Sequence, residues 1–378
     1  MGRAVSLAAP VLASLLVAAV VASPALGASR TAESEEAAAA AVDFLERQQQ
    51  ADGGFGPGGL TPDSVAAIAQ QAQTSGTWSA KEAVDAVSAV ESDEGTTPLD
   101  ALDALASDAT PDLAAQLISR AVAPMGLDPE NFDPAGDGAP VDLVREVAVG
   151  RRQDGSFGSL APTGAAVVAL VLVGRPARDP PRAFLEAAQQ ENGGWNAGGD
   201  PAGDTVDPTT TGLVIQALVA AGVAPTGDTA AGRGLALLAE TQKGDGGWPV
   251  EARGRTDAIA TSWAMGAVRS AGYDPTEGCW RDAAGAPGDD DPYPSPADAI
   301  VSEQGDDGSI EGGLDLVAST AVGAQALLGN WLPTSRAEAV DCTPEDGGLA
   351  VRPSLVVLVV IALVMVVGAV TIMRRSNG

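Results

Sequence analysis

The chain has 378 residues, of which 45% are hydrophobic and only 3% aromatic, and its formal net charge is −29 at pH 7. A surface that binds phosphates needs a basic face, so this charge argues against nucleic acid and anionic lipid head groups as partners. The sequence contains no histidine, which rules out a Ser-His-Asp triad, a Cys-His pair and a zinc ion held by histidine, and we predict no metal site.

The first segment of the chain has the features of an export signal. Residues 1–27 carry one early positive charge at Arg3, an apolar run, a break at Pro24 and then small residues of the kind found at cleavage sites. This order is typical of a secretory signal peptide that is removed from the mature protein. The segments that follow are therefore expected to fold outside the cytoplasm.

The C-terminal end predicts a membrane anchor. Residues 354–373 form an uncharged and mainly apolar stretch, and about twenty such residues cross the roughly 30 Å of hydrocarbon in a bilayer. The short tail 374–378 begins with two arginines, which favour the cytoplasmic side. We therefore predict a single-pass protein of the cell membrane, with an extracellular domain at 28–340 and a linker at 341–353.

The two cysteines of the chain, Cys279 and Cys342, suggest a disulfide. An even number of cysteines in an oxidising compartment usually indicates pairing. Closing a loop of about sixty residues stabilises a fold by roughly 4 kcal/mol in the chain-entropy view. Two free buried thiols are the alternative.

A short phrase recurs five times along the predicted extracellular domain. It consists of Gln, a few residues, Asp or Asn, Gly, Gly or Ser, and then an aromatic or aliphatic residue. The copies are QQADGGFGP at 49–57, RQDGSFGSL at 152–160, QQENGGWNA at 189–197, QKGDGGWPV at 242–250 and EQGDDGSIE at 303–311. The first interval is about double the others, so a degenerate copy is expected within it. Six repeats of about fifty residues then fill the domain.

Each repeat predicts two helices separated by the phrase. The segments before it are amphipathic, at 33–50, 141–152, 181–190 and 228–242, and Asp-Gly-Gly ends them because glycine accepts left-handed backbone. The segments after it are more apolar, at 62–73, 163–174, 208–222, 256–272 and 316–329. Segments 79–90 and 111–122 supply the missing pair. The expected fold is all-α, an α6/α6 toroid with about twelve helices in two rings, and a stacked solenoid is its rival.

The phrase itself is expected to be a joint between an outer and an inner helix. Its glutamine amide bonds exposed backbone groups, and its aromatic ring packs on the same turn. The predicted pairs are Gln50 with Phe55, Gln153 with Phe157, Gln190 with Trp195, and Gln242 with Trp248. Packing is the favoured role of these aromatic residues, and a cage for a cation is the alternative.

A second pattern at the start of the inner helices suggests a ligand site. Asp207 and Thr211, Asp257 and Thr261, and Asp315 and Ser319 are spaced i, i+4, which places each carboxylate and hydroxyl on one helix face. Asp63 begins another inner helix without a hydroxyl partner. These residues are predicted to ring one mouth of the toroid and bind a ligand. Helix capping is the alternative role, and the sequence Asp207-Pro208, like Thr61-Pro62, has the order of a capped helix start.

The Gln-x-x-Asp-Gly-Gly-Trp/Phe phrase resembles the repeat of squalene (terpene) cyclases and protein prenyltransferases, and that of the barrel domain of the cobalamin carriers transcobalamin and intrinsic factor. This resemblance spans most of 28–340 and implies an α6/α6 barrel. The enzymes of this fold use an Asp-x-Asp-Asp acid, an Asp-Asp-x-x-Asp diphosphate site or a zinc ion held partly by histidine, and the chain lacks all three sets. The absence of these sets favours a non-catalytic, cell-surface branch of the family that the chain resembles.

The expected function is that of a membrane-anchored, extracytoplasmic barrel that binds a small molecule or a partner, such as a membrane transporter. A corrinoid is one candidate ligand, although the chain lacks the β-rich domain that completes the site of the cobalamin carriers. No cofactor is predicted. The alternatives are a terpenoid- or prenyl-transforming enzyme, a carboxylate-based enzyme acting on glycans, and a structural protein whose barrel is filled by its own side chains.

Overall fold

The computed structural model describes residues 32–73, 78–136, 138–175, 179–250, 254–286, 293–313, 315–329 and 337–340. These residues belong to a compact unit that ends at Val340. The predicted signal peptide, linker, membrane helix and tail lie outside the described residues. Within the described ranges, none of the helices combines the length and the apolar character needed to cross a bilayer.

The described part of the chain is helical and has no strand beyond isolated bridges. Its helices are α1 (Ala32–Arg47), α2 (Leu60–Gln71), α3 (Ala80–Ala89), α4 (Pro98–Ser107), α5 (Pro111–Leu117), α6 (Leu143–Val149), α7 (Leu160–Leu172), α8 (Asp179–Ala187), α9 (Pro208–Ala220), α10 (Ala230–Thr241), α11 (Ala258–Ser270), α12 (Cys279–Ala283), α13 (Pro296–Val301) and α14 (Leu316–Leu327). A π-helical turn at Ile118–Val122 continues α5.

Six of these helices form a closed inner ring. Helix α2 packs against the π turn after α5, α5 against α7, α7 against α9, α9 against α11, and α11 against α14, which returns to α2. Helices α1, α4, α6, α8, α10 and α13 pack outside them, each against the inner helices of its own or a neighbouring repeat. The double ring confirms the predicted all-α toroid.

The inner helices can pack closely because small residues lie at their crossings. On α9, a Cβ atom added to Gly212 would lie 2.4 Å from the carbonyl oxygen of Trp263 on α11. Most of α9 is buried, including Val214, Ile215 and Leu218, so the helix has almost no polar face. Its apolar sequence is thus explained by burial between two neighbouring inner helices and the outer ring.

The five joints have one geometry. The Asp or Asn side chain accepts a hydrogen bond from the backbone N–H two residues on, as Asp245 Oδ1 does from Gly247 at 3.1 Å. The intervening Gly246 has φ of 90°, and a Cβ there would lie 2.5 Å from the carbonyl oxygen of Ser295, the N-cap of the next outer helix. At the last joint, a Cβ on Gly308 would lie 2.2 Å from Ala40 O in α1. The same contact therefore closes the ring between the last repeat and the first.

A buried hydrogen bond ties each joint to its inner helix. The backbone N–H of the aromatic or aliphatic residue donates to a hydroxyl in the first turns of that helix. The five pairs are Phe55 to Thr61, Phe157 to Thr163, Trp195 to Thr211, Trp248 to Thr261, and Ile310 to Thr320, at 2.9–3.1 Å. All five of these aromatic and aliphatic residues are buried, so they serve the packing role that the repeat predicted.

The glutamine register differs from the prediction at three joints. The amide of Gln242 donates to Gly246 O at 2.8 Å as expected. At two other joints the equivalent donors are Gln49 and Gln189, whose amides donate to Gly53 O and Gly193 O, whereas Gln50 and Gln190 pair with their joints through backbone N–H groups. Gln153 is exposed. In each case the glutamine whose amide bonds the glycine carbonyl lies four residues before that glycine, because the side chain must fold back over the turn.

Two further expectations need correction. Segment 79–90 was expected to be the outer helix of the second repeat, but it forms the additional helix α3. The outer helix is α4, since the first joint contacts Thr97 at the N-terminus of α4. Thr61 does not cap α2, which begins at Leu60; its hydroxyl serves the joint. Cys279 is in a disulfide, and its predicted partner Cys342 lies outside the described residues.

Candidate binding site in the inner ring

The carboxylates predicted to ring the mouth are N-caps of three inner helices. Asp207 accepts from Thr210 N at 2.9 Å, Asp257 from Ala260 N at 2.8 Å, and Asp315 from Ala318 N at 2.9 Å. The second oxygen of Asp207 accepts from the Thr210 hydroxyl, and that of Asp257 from Gly313 N. Capping therefore accounts for the aspartates at these positions, and ligand binding by them stays a prediction.

The hydroxyls of the predicted pairs are occupied as well. Thr211 and Thr261 are fully buried and hold the backbone of Trp195 and Trp248. Ser319 donates to Ile310 O at 2.6 Å, and Thr320 beside it receives the Ile310 N–H. The structure thus does not bring these carboxylates and hydroxyls together as the lining of one concave site.

Asp257 borders an open cleft at the N-terminal end of α11. This cleft of about 370 Å³ also includes Glu311 and an ion pair between Arg255 and Glu303, with 3.4 Å between the charged atoms. Arg255 is highly exposed in this pair, so solvent screens it and it adds little stability. The cleft is open to solvent, and three carboxylates, those of Asp257, Glu303 and Glu311, lie along it, so it does not enclose a small molecule.

Asp63 has a different environment from the other three aspartates. It forms an ion pair with Arg120 of the π turn, and the two side chains are only 13% and 17% exposed. The Arg120 guanidinium also lies over the ring of Trp263 on α11, 5.3 Å from its centroid, an arrangement that attracts a cation to the negative face of the ring. Three helices of the inner ring therefore meet at this one charged group.

Arg120 lines a cavity between the helices of the inner ring. The cavity has a volume of about 120 Å³. Its walls pair apolar with polar side chains from five inner elements: Ser119 and Arg120 of the π turn, Ala165 and Val168 of α7, Leu213 and Gln216 of α9, Ser262 and Trp263 of α11, and Val322 and Gln325 of α14. Among the described lining residues, Arg120 is the only charged one. An apolar cavity with a few convergent polar groups is the usual form of a small-molecule site.

The cavity's polar wall is held in place by hydrogen bonds between helices. Gln325 donates to Asp63 O at 3.0 Å and accepts from Gln70 at 3.4 Å, linking α14 to α2. The amide nitrogen of Gln216 donates to Gly212 O in its own helix at 3.3 Å. The amide oxygen, Oε1, accepts no hydrogen bond from the described residues. Burial lowers the pKa of Arg120 to about 10, so the guanidinium stays charged at neutral pH.

Of this group, sequence reasoning selected only Asp63. Arg120 sits in the predicted inner segment 111–122, next to the small residues Ser119 and Ala121, and a lone arginine in a mainly buried helix is a signal of its own. The π turn widens the helix at that point, and such turns are frequent at functional sites. Trp263 carried no comparable signal, because an aromatic residue in an apolar helix is normally part of the core.

No family model and no curated protein matches the chain. Solved structures match in fold. The type II terpene cyclase MstE from Scytonema in its apo form has a TM-score of 0.52 at 14% identity, over 78% of this chain and 97% of that chain. A variant of MstE in complex with merosterolic acid A, its product, has a TM-score of 0.54 at 13% identity, over 79% and 97%. A protein from Actinoplanes has a TM-score of 0.51 at 18% identity, over 78% and 98%. The likeness confirms a terpene-cyclase-like toroid, and at these identities it concerns the fold alone.

Proposed function

We propose that this protein is a membrane-anchored, extracytoplasmic toroid that binds a small molecule in its ring cavity without transforming it. The observation that carries the proposal is the Arg120–Asp63 pair beside Trp263, which places a charged hydrogen-bonding group at a mainly apolar cavity. The membrane anchor and the export signal are part of the proposal and come from the sequence. Transfer of the ligand to a membrane transporter is compatible with such an anchor.

The volume of the cavity limits the ligand. An apolar cavity of about 150 Å³ holds a molecule the size of benzene, and sites for drug-sized ligands occupy roughly 300–1,000 Å³. The ring cavity, at about 120 Å³, therefore accepts one ring-sized or branched group. A corrinoid is much larger, so we do not propose one for this cavity.

The lining also argues against the catalytic alternatives. A glycan-cleaving site needs two carboxylates about 5–10 Å apart, and the described residues that line the ring cavity include none. The open cleft at the N-terminal end of α11 does contain Asp257, Glu303 and Glu311, so the exclusion of glycan cleavage applies to the ring cavity alone. A cyclisation of the squalene type needs an acid that can donate a proton, whereas Asp63 lies against a cation, which favours the ionised carboxylate. A terpenoid-transforming enzyme remains the alternative function, supported by the likeness in fold to MstE.

A stability screen of the full chain in detergent tests the proposal. Uncharged and charged small molecules, isoprenoids and glycans are compared in the wild type and in Ala165→Leu, which fills the cavity wall. Ala148→Leu, on the exposed face of α6, is the matched control. A true ligand at 100 times its dissociation constant adds about 2.7 kcal/mol to wild type and control, and much less to Ala165→Leu. Conversion of a prenyl diphosphate, a squalene-like substrate or a glycan by the wild type would overturn the proposal.

A further inference from the structure

The ring cavity presents both a donor and an acceptor to its interior. The Arg120 guanidinium has five N–H donors, and among the described residues its only acceptor is Asp63. Gln216, whose Oε1 accepts no hydrogen bond from the described residues, lines the same cavity. A ligand group that both accepts and donates hydrogen bonds can therefore bond to Arg120 and to Gln216 at the same time.

The charge of the cavity is balanced before any ligand enters. Asp63 neutralises Arg120 from α2, and no other described lining residue is charged. A carboxylate entering the cavity would meet a guanidinium that is already paired and would lie near the Asp63 carboxylate. In an apolar enclosure such a charge loses its hydration without gaining a free partner, which is costly. A neutral group avoids this cost.

We propose that the ring cavity selects compact, neutral molecules with a branched aliphatic body and a carboxamide-like head, and that Asp63 sets this selectivity by excluding carboxylates. The body lies against Val168, Leu213 and Val322, and the head lies between Arg120 and Gln216. The proposal rests on the proposed function, because it names the ligand class of the same cavity. It adds that removal of the Asp63 charge converts the site to one for small carboxylates.

Isosteric probes test this selectivity. Isobutyramide and isobutyrate have the same shape and differ in charge. The full chain in detergent, with methyl-labelled leucine and valine, is titrated with each, and the methyl signals of Leu213 and Val168 report binding inside the cavity. In the wild type, isobutyramide is expected to bind at least about tenfold more tightly than isobutyrate, a difference of about 1.4 kcal/mol. In Asp63→Asn, isobutyrate is expected to gain more than the wild-type difference between the two probes, and therefore to bind more tightly than the amide.

Asp207→Asn is the matched control, because it removes the same charge from a helix cap that does not line the cavity; its selectivity should equal that of the wild type. If Asp63→Asn does not fold, a pH series on the wild type tests the same selectivity. The affinity for isobutyrate should rise as pH falls to about 4 to 5, because the ligand is then protonated to the neutral acid.

Three outcomes contradict the inference. Equal or tighter binding of isobutyrate by the wild type removes the selectivity, and unchanged isobutyrate affinity in a folded Asp63→Asn removes the role of Asp63. Both leave the cavity as a binding site, so the proposed function survives them. The third contradicting outcome is that neither probe shifts the methyl signals of the cavity. The proposed function itself is refuted by a different result, namely that the stability screen finds no ligand whose effect is lost in Ala165→Leu.

Discussion

The backbone N–H of Trp248 donates to the hydroxyl of Thr261 over 3.0 Å, and both residues are fully buried. The hydroxyl also lies 3.4 Å from Trp248 O, so a single side chain serves the backbone of the joint. Equivalent bonds occur at the other four joints, with Thr61, Thr163, Thr211 and Thr320 as acceptors. The hydroxyl is therefore a structural part of the repeat, and its position fixes where the chain enters each inner helix.

Thr261→Val should destabilise the fold strongly for so small a change. Valine keeps the shape of threonine but leaves the buried Trp248 N–H without an acceptor, and an unsatisfied buried donor costs about 1–3 kcal/mol. Thr241→Val is the matched control, because its hydroxyl bonds Leu237 O within its own helix at 2.7 Å. The measurement is the free energy of unfolding in denaturant. Equal losses for the two variants would contradict the role assigned to Thr261.

Gly212→Ala should destabilise the inner ring although alanine favours helices. The added Cβ would lie 2.4 Å from Trp263 O, so α11 must move away, and overpacking of this kind costs about 1–3 kcal/mol. Gly234→Ala is the control, because its Cβ would meet side-chain atoms of Ile215 and Trp195 at 2.9 Å, which can shift more easily than backbone. A loss for Gly212→Ala no larger than for Gly234→Ala would show that the two helices are not in close backbone contact.

The sequence predicted the toroid because its joints are local. The glycine phrase and the hydroxyl that it bonds lie within about twenty residues, so Asp245, Gly246 and Thr261 can be recognised in one stretch. Register is less certain: the amide that bonds the joint belongs to Gln49 and not to its neighbour Gln50, because which of two adjacent glutamines reaches back depends on the last helical turn. Helix α4 was not predicted, although Thr97 and Asp100 form a capping box at its start, because that signal lies outside the glycine phrase.

The candidate site was harder to predict because it exists only after the ring closes. Asp63 and Arg120 come from different repeats, and Trp263 is far from both in the chain. A helical period shows which residues face inward, but it does not show which inward residues of six helices share a depth. Three of the four aspartates that the sequence did select, Asp207, Asp257 and Asp315, are caps, since a residue before an inner helix lies at its end and not inside the ring.

Asp154→Asn should change how stability depends on pH. Hydrogen bonds from the Ser156 N–H and hydroxyl hold the pKa of Asp154 below its usual range. A lowered carboxyl pKa contributes stability above the unfolded pKa of about 3.9, and that stability is lost as pH falls through the folded pKa. The unfolding free energy of the wild type relative to Asp154→Asn should therefore be constant near neutral pH and fall below about pH 4.

The chain supplies its own control for this substitution. Asn192 occupies the same place in another joint and accepts from Gly194 N at 2.9 Å, so asparagine fits the turn. Asn192→Asp should have the opposite effect and gain stability above about pH 4. Denaturant titrations over a pH series measure both differences. A wild-type curve parallel to that of Asp154→Asn at all pH values would be incompatible with a lowered Asp154 pKa.

The Arg120–Asp63 pair should show strong energetic coupling. Both side chains are mostly buried, and removing one partner of a buried pair costs about 3–5 kcal/mol because the other charge is left without a partner. Arg120→Met and Asp63→Leu should each lose about this much stability, whereas the double variant should be more stable than either single one, since it leaves no orphan charge. A double-mutant cycle in denaturant measures the coupling. Additive losses would mean that solvent reaches Arg120 and screens the pair, and a cavity open to water in this way would be a poor site for the apolar body of a ligand.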